Sequence, residues 1–114
     1  MPYIDAKMSI QLEETQRDNL EKKLVNAVSH AFGKPKSYIM TNIEDGKTLY
    51  MAENKITKGA YIAIRLLGSA SRSACQDLTR DICDILQNDF DIAGSNVYVT
   101  YHPVDLWGWN GSMF

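Results

Sequence analysis

The sequence has little of what would cross-link a small domain or hold a metal ion. Only two cysteines and two histidines occur in its 114 residues. Cys75 and Cys83 stand eight positions apart in one predicted helix. A rise of about 1.5 Å per residue separates them by roughly 12 Å, too far for a disulfide. His30 and His102 lack Cys, His or carboxylate companions at ligand spacing, so no metal is expected. Long apolar runs are missing too. The longest, Ala60 to Ile64, falls far short of the roughly 20 residues that span a bilayer, so no membrane insertion is expected. Asp5 and Lys7 interrupt the N-terminus before any apolar signal segment can form, which makes the cytoplasm the default compartment. There is no excess of positive charge: the formal net charge is -2 and the 12 Lys and Arg are dispersed, which argues against nucleic acid as a partner.

What is present suits a single domain over residues 1–114, with 45% apolar and 23% charged residues. Pro2 to Ser9 alternates loosely as a strand. From Glu13 to Phe32, Leu20, Leu24, Ala27, Val28 and Ala31 recur at helical spacing, and Gly33 with Pro35 supplies a stop. Ser37 to Glu44 predicts a second strand. Asp45-Gly46 predicts a tight turn into a short pairing strand, Thr48 to Met51. The order then repeats. Tyr61 to Leu67 predicts a buried strand. Ser71 or Ser73 can cap a helix with a Leu78, Ile82 and Leu86 row, and Asn96 to His102 alternates as a last strand. Two β-α-β units joined edge to edge predict an α/β fold with a four-stranded mixed sheet and both helices on one face. The opposite face is expected to include several large apolar residues in either register and therefore to be buried by another subunit.

Four features occur in order along the whole chain: Met1-Pro2, Gly33-Lys34-Pro35 after the first helix, Asn96-Val97-Tyr98-Val99, and Gly108-Trp109-Asn110-Gly111-Ser112 with Phe114. Together they resemble the macrophage migration inhibitory factor family of the tautomerase superfamily. The resemblance implies a homotrimer with a central channel, three sites at subunit boundaries, and keto–enol tautomerisation without a cofactor. Phenylpyruvate-like and dopachrome-like acids are the implied substrates. It also implies a cytokine-like alternative: a chain that leaves cells without a signal peptide and engages a cell-surface receptor, with little turnover.

The implied residue roles stand beside plainer ones. Pro2, exposed by loss of Met1 to give a mature chain of residues 2–114, would be the general base; by position alone it merely starts a strand without needing a donor. Lys34 would bind a substrate carboxylate or enolate, or simply complement a helix C-terminus. Leu67 falls on the family position that offers a backbone amide. Tyr98 and Thr100 fall on positions supplied by a neighbouring subunit, Thr100 replacing the family's usual asparagine. Trp107, Trp109 and Phe114 would surround an aromatic substrate or only seal the assembly. Departures from the cytokine are Gly59-Ala60-Tyr61-Ile62 in place of its Cys-x-x-Cys, which leaves thiol–disulfide chemistry no residues, His102 in place of tyrosine, and a shorter Pro103 to Trp107 segment. Arg65, a charge within an apolar strand, predicts an edge or interface residue with a paired carboxylate, and less readily a substrate contact.

Overall fold

The computed structural model describes residues 1–114. Its sheet is built from β1 (Tyr3–Met8), β2 (Met40–Glu44), β5 (Ala60–Leu67) and β6 (Val97–Val104). Between β2 and β5 lie the short strands β3 (Leu49–Met51) and β4 (Asn54–Ile56). The strand order is β2-β1-β5-β6. β1 runs parallel to β2 and β5 parallel to β6, and the two units join through the antiparallel β1–β5 pair. That is the predicted mixed sheet.

Both crossovers are 19-residue helices, α1 (Glu14–Phe32) and α2 (Arg72–Phe90). α1 begins at a capping box in which Glu13 and Gln16 satisfy each other's backbone donors, and it ends at Gly33 in the left-handed conformation. At α2 it is Ser71 that caps, its hydroxyl accepting from the Ala74 N–H at 3.0 Å. α2 ends at Asp91, also left-handed. The two helices cover one sheet face. Leu20, Leu24 and Val28 of α1 and Leu78, Ile82 and Leu86 of α2 pack with Ile4, Ala6, Met8, Ile62 and Ile64 in one core. At the β6 end of this core, the half-buried Tyr101 hydroxyl donates to the Cys75 carbonyl and shares a hydrogen bond with Thr79. Burial pushes its pKa up to about 12, so it acts as an anchor rather than an acid.

Three expectations need correction. Lys36–Tyr38 is a turn of 3-10 helix, so the second strand starts only at Met40. Asp45-Gly46 does not join β2 to β3 as a hairpin. β3 pairs instead with β4, across a turn in which Ala52 and Glu53 both take positive φ. The Asp45 carboxylate accepts from the Leu12 N–H and from Arg17, which ties the start of α1 to the end of β2. Third, the large side chains expected on the uncovered face, Met40, Tyr3, Tyr61 and Tyr98, are outnumbered there by polar ones. Cross-strand rows on it read Met40, Tyr3, Arg65, His102, then Asn42, Asp5, Ala63, Thr100, then Glu44, Lys7, Tyr61, Tyr98. Lys7 bridges to Asp5 at 2.7 Å, and Asn42 donates to Asp5 and to Glu44. Burying this face would therefore enclose ion pairs and hydrogen-bonded carboxylates along with apolar surface.

The two cysteines are free and half-buried on α2. Burial raises both thiol pKa values, aided at Cys83 by the Asp84 charge, so neither is an activated thiolate.

Candidate active site

β1 is shorter than its neighbour at the chain's start. The last β1–β5 pair is Tyr3 with Arg65, so Leu66 and Leu67 run on past the end of β1. Pro2 sits at this step. Lacking an N–H, it loses no ladder bond there, while its carbonyl accepts from the Met40 N–H at 3.2 Å. Its side chain is buried.

A cleft of about 690 Å³ opens beside Pro2. One wall comes from Ser37 to Met40 and another from Arg65, while Trp107, Trp109 and Phe114 close it from the C-terminal side. The closing segment is a hairpin, β7 (Gly108–Trp109) paired with β8 (Ser112–Met113). Asn110 and Gly111 turn it with positive φ at both positions, as a two-residue hairpin of right-handed twist requires. The Phe114 N–H donates to the Trp107 carbonyl and pins the chain end. Trp109 stacks on Phe114 with centroids 5.8 Å apart, and Tyr38 meets both edge-on at 5.4 and 6.0 Å. These rings remain about half exposed, Trp109 at 54% and Phe114 at 50%, which leaves area for a flat ligand.

The electrostatics of the chain start favour a neutral amine. The terminal amino group, here on Met1, has its pKa lowered, first by burial and second by the positive charge of Lys34. Lys34 is held by its backbone. Its N–H donates to the Ser29 carbonyl at 3.2 Å, and the Ser29 hydroxyl donates to its carbonyl at 2.6 Å. None of the chain's ion pairs includes Lys34.

One chain thus gathers Pro2, Trp107, Trp109 and Phe114 around the cleft. Lys34 acts on the amine by charge without forming the wall, and Leu67 lies outside the wall. Tyr98 and Thr100 do not come to this cleft. Tyr98 belongs to the row of Lys7 and Tyr61, at the far end of the sheet from Pro2, and is 65% exposed. Thr100 spends its hydroxyl within its own sheet, on Tyr61 and His102 at 2.8 Å each. Sequence reasoning misses Tyr38. Its only available signal is an aromatic residue shortly after the Gly33-Lys34-Pro35 stop. Arg65 reads in the sequence mainly as a paired charge, yet it lines the cleft and has no ion-pair partner.

Comparison with known proteins agrees with the fold. The family profile described as Macrophage migration inhibitory factor (MIF) matches residues 1–114. Macrophage migration inhibitory factor of Xenopus laevis is 27% identical over 116 residues, covering 100% of this chain and 99% of that protein. Among solved structures, Leishmania major MIF2 superposes with a TM-score of 0.91 at 24% identity, covering 100% of this chain and 97% of that one. The macrophage migration inhibitory factor homologue of Prochlorococcus marinus gives 0.87 at 25% identity, with 98% of each chain covered. With the profile spanning every residue and the β-α-β pair reproduced, the chain belongs to the macrophage migration inhibitory factor family.

Proposed function

We propose that the chain is a cofactor-independent keto–enol tautomerase of aromatic 2-oxo acids, of the phenylpyruvate or dopachrome-like kind, with the Pro2 nitrogen as general base. The observation that carries this reading is a buried proline at the chain start, in the wall of an aromatic cleft, beside an amine whose pKa is depressed. Removal of Met1 turns the Pro2 nitrogen from an amide into a secondary amine. In the same surroundings, burial and the Lys34 charge hold such an amine below its ordinary pKa, which favours the neutral form that accepts a proton. It takes the proton from the carbon next to the keto group, and the electron pair moves onto the carbonyl oxygen. The resulting ammonium returns the proton to that oxygen to give the enol, and the reverse path restores the keto form. Lys34 compensates charge on the substrate carboxylate or the developing enolate.

The same reading includes a homotrimer. Tyr98 and Thr100 do not line the cleft of their own chain, and a role for them in a site calls for another copy's cleft. The polar uncovered face suits an inward-facing, hydrated channel better than a dry interface. Light scattering at micromolar concentration is expected to give three times the 12.9 kDa chain mass. A monomer would sink the shared-site arrangement.

Lys34 supplies a direct test of the binding step. Lys34→Ala is expected to lower kcat/KM for phenylpyruvate roughly 10- to 100-fold, the usual worth of a hydrogen bond to a charged group. Its methyl ester should lose far less. Equal losses for acid and ester would instead assign Lys34 to tuning the amine alone.

A further inference from the structure

Arg65 brings a positive charge to the cleft wall, Lys34 acts by charge on the amine beside it, and neither forms an ion pair within the chain. Arg65 projects from β5 in the row of Tyr3 and His102, one residue from Pro2 in register, and forms part of the cleft wall. It has neither an ion-pair partner nor a side-chain hydrogen bond within the chain. The nearest acidic row belongs to Asp5, which feels the Arg65 charge. Asp5 is already taken, by Lys7 at 2.7 Å and Asn42 at 2.9 Å. The rest of the wall is mostly apolar or aromatic. A guanidinium facing such a cleft has five fixed donors and matches a planar oxyanion in two-point contact. Lys34 stands in the segment after α1 and Arg65 in the sheet, so the two charges belong to different elements around the cleft.

We propose that Arg65 is a second anion-binding group of the cleft, and that the substrate is an aromatic 2-oxo acid with a further acidic group on its ring, held by the Arg65 guanidinium. The aromatic cluster of Tyr38, Trp109 and Phe114 lies against the ring, and Lys34 takes the 2-oxo acid end. The 2-oxo acid half of this assignment rests on the tautomerase reading; the second acid group rests on Arg65 alone.

The test uses two probes that cannot tautomerise, cinnamate and 4-carboxycinnamate, titrated calorimetrically into protein that begins at Pro2. The wild-type chain is expected to bind the diacid at least about 10-fold more tightly at fixed ionic strength. Arg65→Met should reduce that preference to less than about threefold, and Arg65→Lys should keep part of it, because lysine holds the charge but not the two-point geometry. A wild-type protein with no preference, or one that binds neither probe, overturns the proposal, as does a preference that survives Arg65→Met. If Arg65 instead meets a carboxylate of another copy, the preference is absent and Arg65→Met weakens the oligomer. Phenylpyruvate turnover, measured separately, distinguishes the two ideas: preference without turnover would remove the reaction and leave the anion site, and turnover without preference would do the reverse.

Discussion

Protein that retains Met1 should convert phenylpyruvate enol to keto form at least about 10²- to 10⁴-fold more slowly than protein beginning at Pro2, the usual cost of losing a general base. With Met1 attached, the Pro2 nitrogen is part of a planar amide and has no basic lone pair. The free amine of Met1 does not replace it, being one residue further out. Pro2→Gly in the processed chain should keep a measurable fraction of activity, since a primary amine stays at the same place with more freedom. The pH profile gives a second handle on the same atom. The base works only when deprotonated, so kcat/KM should rise with pH and level off below the ordinary α-amino pKa near 8, because burial and the Lys34 charge lower that of the terminal amine. In Lys34→Ala the rising limb should move to higher pH. Equal rates with and without Met1, at equal oligomer content, would place the chemistry somewhere other than Pro2.

Ile64→Ala should cost about 2–5 kcal/mol of stability, the range for emptying a fully enclosed aliphatic site. Ile64 has no exposed surface and lies mid-sheet, between Ile4 of β1 and Tyr101 of β6. Helices press on it from one side and paired strands flank it on both others, so neighbours cannot collapse into the gap without breaking register. Urea unfolding followed by circular dichroism, at one protein concentration for both variants, measures the difference. Matching concentrations matters because association adds to apparent stability. A loss under about 1 kcal/mol would mean that this core relaxes far more readily than its geometry indicates.

Much of this architecture is legible in the sequence, because its signals are local. Leu20, Leu24 and Val28 fix the inner side of α1, and Gly33 before Pro35 ends it where the structure does. The failures involve pairing. Asp45-Gly46 has hairpin composition, yet the Asp45 carboxylate is committed to Leu12 and Arg17, and its contact with Leu12 spans 33 positions that no local pattern bridges. Asn110-Gly111 carries the stronger hairpin signal and does turn β7 into β8. That hairpin is hard to read in sequence because each strand has only two residues. The polar face is also written in the alternation of Tyr3, Asp5 and Lys7, and of Thr100 with His102. Arg65 is the instructive site residue. A charge in an apolar strand is visible in the sequence, but its place beside Pro2 depends on the antiparallel register of β1 with β5. Register between segments about sixty positions apart is a tertiary fact.

That register also sets a timetable. β1 is synthesised first, yet its partner β5 begins only at Ala60, so half of the chain must leave the ribosome before the central seam of the sheet can close. Until then β1 can pair only with β2, and the chain start stays mobile. Once β5 docks, Pro2 is buried and its carbonyl is tied to Met40. The enclosure of Pro2 is therefore completed late in synthesis, although Pro2 is among the first residues made.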